Sequence, residues 1–363
     1  MKFPIRLFGF FNLLILSGSL TFPLAGQSET TFWQLQDSGV TASLRGLCVV
    51  DSQTVWASGS GGTVIKTIDG GQHWQNVSVP DAEKLDFRDL HAFDSETAVL
   101  LTAGQPARVY RTDNGGSTWA LQFEHPNKDS FFDAISFFDN QHGIAMSDPV
   151  DDRVLLIETL DGGKIWKELA AQRRPLKERG EAGFAASGTN MRVVGDSVYI
   201  ALGGAEKDQA EEASRVVVSH DRAQSWTAAS VPMPRNASSG IFSMVFMDAQ
   251  NAFVVGGDYL NQANRQGIAA RSQDGGKTWT TPSGDPPRGY RSGLGVGRTA
   301  SQTLMVAVGP KGTDISLDLG RNWTAASDQG FHAVQFTSDG KMGWASGADG
   351  VVGRWNPKHR FLK

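Results

Sequence analysis

Nine side chains in this sequence are of types that could share a site: Arg45, Arg88, Asp133, Asp148, Glu181, Asp258, Tyr290, Arg291 and His332. Guanidinium groups grip carboxylates and stack on aromatic planes, so Arg45, Arg88 and Arg291 suit capture of a protein segment. The carboxylates Asp148, Glu181 and Asp258 offer a second chemistry. Two such groups facing across a cleft, about 5 to 9.5 Å apart, can hydrolyse a glycosidic bond. Four stretches set these residues among small ones that let backbone approach a ligand: Met146–Pro149, Gly180–Thr189, Val255–Tyr259 and Gly289–Gly293. Metal and cofactor chemistry find no support. The seven histidines are scattered without paired ligand spacing. Gly293-Leu294-Gly295-Val296-Gly297 falls in a predicted strand and does not open a helix, so no dinucleotide site is expected.

What must position these groups is an eight-residue unit of the form Ser/Thr-x-Asp-x-Gly-x-x-Trp. It occurs at Thr67–Trp74, Thr112–Trp119, Thr159–Trp166, Ser219–Trp226, Ser272–Trp279 and Ser316–Trp323, with Asn114 in one Asp position and Ala223 in one second-Gly position. Its carboxylate and hydroxyl can accept backbone N–H groups of a tight turn, its glycine supplies positive φ, and its tryptophan packs the following strand. Asp69, Asn114, Asp161, Asp221, Asp274 and Asp318 are therefore assigned to structure. The box tryptophans recur at intervals of 45, 47, 60, 53 and 44 residues, the period of a four-stranded propeller blade.

Each repeat reads as an inner strand, a second strand ending in small residues, a strand entering the box, and a tryptophan strand. Trp33-Gln34-Leu35 looks like a tryptophan strand with no box before it, and residues 330–355 like three strands with none after them. Joining the two makes a seventh blade and hides the sheet edges. The expectation is an all-β, seven-bladed propeller over residues 31–356 with a short tail at 357–363; a six-bladed ring with frayed ends is the alternative. The nine candidate residues then gather at one mouth of the central channel, on inner-strand starts and the loops after second strands. The longest interval holds two charged loops, Arg173–Glu181 and Glu206–Glu212, which read as solvated, the second with room for a short helix.

On these motifs the chain resembles the Asp-box, sialidase-type repeat superfamily. The layout, the boxes, Trp-Ala-Ser-Gly at Trp56 and Trp344, and the Gly289–Gly293 and Gly330-Phe331-His332 segments are similar to the exported bacterial relatives of the photosystem II assembly and stability factor. That resemblance implies a non-enzymatic scaffold binding a protein partner or membrane-associated complex, and a monomer. The alternative is a sialidase-like glycoside hydrolase. Its Phe/Tyr-Arg-Ile-Pro motif is absent, since Phe3-Pro4-Ile5-Arg6 only scrambles it.

Composition agrees with this class. The chain has 363 residues, 42 Gly, 10 Trp and a formal net charge of −4, which suits a turn-rich β protein and argues against a general nucleic-acid binder. Residues 1–26 resemble a secretory signal: Lys2 and Arg6, an apolar run from Leu7 to Leu24, and small residues before Gln27. Cleavage near Gly26 would leave an exported, periplasmic or extracellular protein with no membrane span; retention as an anchor is the alternative. Cys48, the single cysteine, lies in an apolar run and reads as a buried thiol.

Overall fold

The computed structural model describes residues 31–206 and 212–358, so the proposed signal segment and most of the 357–363 tail lie outside the described residues. Seven antiparallel sheets account for the chain. Blades 1 to 6 run in chain order, with inner strands Leu44–Val49, Phe87–Ala92, Phe132–Phe137, Met191–Val194, Ser239–Phe246 and Gly293–Arg298. Blade 5 has three strands, and its outermost position is reduced to an isolated bridge between Arg271 and Thr280. Among the described residues the only helical elements are two 3-10 turns, Ala171–Arg173 and Ala348–Gly350. No described helix is long and apolar enough to cross a membrane.

The seventh blade is composite. Trp33–Gln36 pairs antiparallel with Val352–Trp355, with Trp33 opposite Trp355 and Gln36 opposite Val352. Gly343–Ser346 and Ala333–Phe336 complete that sheet. The seam is fastened further by Trp33 Nε1, which donates to Thr313 Oγ1 at 2.9 Å on blade 6.

The core is a ring of apolar layers between neighbouring blades. Trp56, Val64, Phe87 and Leu100 fill the space between blades 1 and 2, while Leu47, Ile65, Trp344 and Val352 close blade 1 onto blade 7. Phe32, Trp33, Val306, Ile315 and Trp355 do the same between blades 6 and 7. Burial of this kind stabilises by about 25 cal/mol per Å² of apolar surface. Because each blade needs a neighbour on both sides, the ring gains most when it closes. Cys48 lies in the layer between blades 1 and 2, and burial pushes its thiol up to about 11.

The six boxes share one geometry. The first hydroxyl donates to the carboxylate or amide two residues on and accepts the N–H four residues on; the carboxylate or amide oxygen in turn accepts the N–H four residues beyond itself. In the fifth box these distances are 2.8, 2.8 and 2.9 Å for Ser272 with Asp274, Gly276 with Ser272, and Thr278 with Asp274. The second box does the same through Asn114 at 3.0, 2.9 and 2.9 Å. The turn demands positive φ at two successive residues, as at Gly275 and Gly276, where φ is 75° and 86°. Arg222, Ala223 and Leu319 take up the same conformation without being glycine. Box tryptophans then either close on their own turn, as Trp279 Nε1 to Gly276 O at 3.0 Å, or reach the preceding blade, as Trp119 Nε1 to Val77 O at 2.8 Å.

Candidate functional site

Four inner strands carry one extra residue near their start. The register of blade 1 slips between Leu44 and Gly46, of blade 2 between Phe87 and Asp89, of blade 3 between Phe132 and Ala134, and of blade 5 between Ile241 and Ser243. A bulge leaves its extra residue outside the ladder and re-aims its side chain. The residues so displaced are Arg45, Arg88, Asp133 and Phe242, and all four line one cavity of about 520 Å³ at the channel mouth. Asp148, Tyr290 and His332 line it as well, with an aromatic wall from Phe131, Phe184 and Tyr259. Phe184 and Phe242 stack with centroids 4.1 Å apart, and Tyr290 meets Phe242 edge-on at 4.8 Å.

Charge is divided around this mouth. Arg45, Arg88 and His332 come from blades 1, 2 and 7, and Asp133 and Asp148 from blade 3. Arg88 is held by Asp86, Nε to Oδ2 at 2.7 Å. Arg45 donates no hydrogen bond among the described residues; burial and then the neighbouring Arg88 push its pKa down, which Tyr290 and Asp86 oppose. Burial, then Arg45 and Arg88, take His332 down to about 3, so its imidazole is neutral across physiological pH. His332 Nε2 lies 3.1 Å from Ser43 Oγ. That resembles a nucleophile and base, but among the described residues His332 Nδ1 is buried without a partner, so no carboxylate orients the ring as a triad requires. Burial also raises Tyr290.

On the acidic side, Asp148 Oδ1 accepts the Gly183 N–H at 2.9 Å, and burial pushes Asp148 up to about 6. Asp133 is 1% exposed, and neither of its carboxylate oxygens has a partner in good hydrogen-bond geometry. Burial and the Asp148 charge push it well above the usual carboxylate range, against the weaker pull of Arg88 and the Ala185 amide.

The remaining three candidates are placed elsewhere. Arg291 is 1% exposed and pairs with Asp314, which also accepts from Arg288 Nε at 2.8 Å. Glu181 is buried and bound by Arg215 Nε at 2.8 Å and by the Glu178 N–H at 2.9 Å. Asp258 Oδ1 accepts from Ser238 Oγ at 2.7 Å and from the Leu260 N–H at 2.9 Å; burial raises its pKa, but these bonds hold it below the usual range. All three are occupied by structural bonds and none lines the cavity. The expected carboxylate pair among Asp148, Glu181 and Asp258 therefore does not assemble. The partner of Asp148 in the cavity is Asp133, from the adjacent strand of its own blade. Among the described residues no group of three metal-ligating side chains converges.

The first charged loop also departs from expectation. Arg173, Arg174 and Glu178 are tied to Glu158, Glu168 and the fully buried Arg235, at 3.1, 2.8 and 2.8 Å, so the segment is bonded to the blade on one side while Leu176, Glu178 and Arg179 remain exposed. In the second, residues 207–211 lie outside the described residues, and Glu212 already opens the strand Glu212–Ser219. Sequence reasoning missed the wall residues Phe131 and Phe242. The signal for Phe242 was its place one residue past Ile241, equivalent to that of Asp133 past Phe132.

Comparison with known proteins places the chain in this setting. Residues 25–128 match the family described as photosynthesis system II assembly factor YCF48. A solved structure of YCF48 bound to a D1 peptide is 17% identical, with a TM-score of 0.59, covering 90% of this chain and 97% of that one. YCF48 from Cyanidioschyzon merolae is 16% identical, with a TM-score of 0.59, covering 91% and 100%. No curated protein matches. The chain is thus similar to YCF48-type assembly propellers, and at this identity the solved structures speak for the fold.

Proposed function

We propose that this chain is an exported, non-enzymatic propeller that binds a segment of a protein partner in the mouth cavity, as an assembly scaffold for a membrane-associated complex. The observation that carries the reading is Arg45: a guanidinium lining a cavity of about 520 Å³, beside Arg88 and an aromatic wall, that donates no hydrogen bond among the described residues. Such a group is poised to take the carboxylates or carbonyls of a peptide. The likeness to a YCF48 solved with a D1 peptide supports a peptide as the class of ligand.

The test is capture from a detergent-solubilised membrane extract on the immobilised chain, compared with Arg45→Ala. A protein retained by the parent and reduced tenfold or more by the variant is the expected result; equal retention overturns the assignment of this face. Aryl glycosides and an oligosaccharide panel should show no turnover. Export is tested separately, by the N-terminus of the mature protein, expected at or near Gln27.

A further inference from the structure

We infer that Asp133 and Asp148 form a subsite for one basic side chain, a lysine ammonium or arginine guanidinium, of the segment bound in the mouth cavity. The inference rests on the protein-binding reading and adds the chemistry of what is bound.

The argument starts from Asp133. A buried carboxylate without donors is costly to keep, and in folded proteins such groups are nearly always satisfied. Here, among the described residues, neither oxygen has a partner in good hydrogen-bond geometry, the Ala185 amide exerting only a weak pull, and the residue lines the cavity at the bulge of its strand. Only glycine fits against it: a Cβ on Gly183 would lie 2.6 Å from Asp133 Oδ2 and 2.8 Å from Met146 Cε, so a larger residue there would crowd the carboxylate. The same glycine donates its N–H to Asp148, so one loop residue packs against the first carboxylate and orients the second. Two carboxylates that disfavour each other's charge are relieved together by one cation.

The walls decide which cation. Besides Arg88, which Asp86 holds, the lining includes the rings of Phe131, Phe184 and Phe242. With two carboxylates and aromatic carbon there are too few oxygen donors for a divalent metal, which takes six or more. Aromatic faces instead receive the stem of a long basic side chain and attract its charge. Arg45, on blade 1, stands away from blade 3 around the ring, so the segment would meet a guanidinium at one side of the mouth and the carboxyl pair at another.

The experiment selects random dodecapeptides on the immobilised full chain and retains those whose binding falls in Arg45→Ala. The expected set is enriched in lysine or arginine. Replacing that residue by norleucine should weaken binding at least tenfold on the parent chain and less than threefold on Asp133→Asn, with Asp148→Asn as the second variant. Arg45-dependent peptides without basic enrichment, or an equal norleucine loss on all three proteins, overturn the subsite and leave the protein-binding reading standing. No Arg45-dependent peptide at all overturns both.

Discussion

Arg45 and Asp133 hold the same bulge position on blades 1 and 3 and line one cavity, one with a guanidinium and the other with a carboxyl group. Equivalent places in a repeat thus carry complementary groups, and the repeat's geometry converges them.

Arg45 and Arg291 should separate binding from stability. Arg45→Ala removes no bond among the described residues, so unfolding should move by less than about 0.5 kcal/mol, as for most substitutions away from buried networks. Arg291→Ala strands part of the buried Asp314 charge and should cost about 3 kcal/mol, at the low end for broken buried pairs because Arg288 remains. Urea denaturation of both variants checks this; equal losses would contradict the placement of either arginine.

Rising pH should weaken the fold through its buried acids. The folded pKa of Asp133 lies above the unfolded value, Asp148 is at about 6 and Asp89 at about 7. The folded state therefore binds more protons than the unfolded one, and stability present below about pH 4 is lost as pH rises through the folded values. Asp133→Asn removes one such group and should raise Tm more at pH 8 than at pH 4. A Tm difference independent of pH would show that Asp133 is not desolvated.

At the acid end the boxes act with the opposite sign. Hydrogen bonds from Thr278, first through its hydroxyl and then its N–H, hold Asp274 at about 2, and bonds from Ser219 and Ser225 hold Asp221 lower still. Their contribution is present above the unfolded pKa of about 3.9 and is lost as pH falls through the folded values. The box with Asn114 shows that an amide can replace the carboxylate, since Asn114 Nδ2 donates to Thr118 Oγ1 at 2.9 Å. Asp274→Asn with Asp221→Asn should therefore fold, and lose less Tm than the parent between about pH 5 and pH 2 by differential scanning calorimetry.

The seam should govern cooperativity. Trp33 is 4% exposed in the layer between blades 6 and 7, and its truncation to Ala should cost about 3–5 kcal/mol. Deleting residues 31–36 bares the Val352–Trp355 edge and should broaden the unfolding transition as well as lower it. A sharp transition at unchanged Tm would mean that the strand only decorates the ring.

Leu319 is a site for gain. It is exposed and holds φ at 59°, where four of its five box relatives have glycine and the fifth has Arg222. Leu319→Gly should stabilise by about 0.5 kcal/mol, strain relief outweighing the added freedom of the unfolded chain. Thermal unfolding reads the sign.

The propeller was legible because its signals are local. Each box completes its hydrogen bonds within seven residues, so Ser272, Asp274 and Trp279 announce a turn wherever they occur in that order. The closing strand was legible from Trp33 having a tryptophan strand's residues without a box. The site was legible in part: Arg45, Arg88, Asp133, Asp148, Tyr290 and His332 line the cavity. Arg291 and Glu181 looked equally available, and their bonds to Asp314 and Arg215 were not visible, because those partners lie 23 and 34 residues away on other strands.

The amino-acid order alone settled the blade, its repeat and the ring, since turn chemistry and apolar spacing act between near neighbours and need no knowledge of the whole. Tertiary structure decided which charges remain available. A guanidinium or carboxylate is a contact group or a structural one according to what stands within about 3 Å of it, and in a closed ring that neighbour comes from across a strand or from another blade.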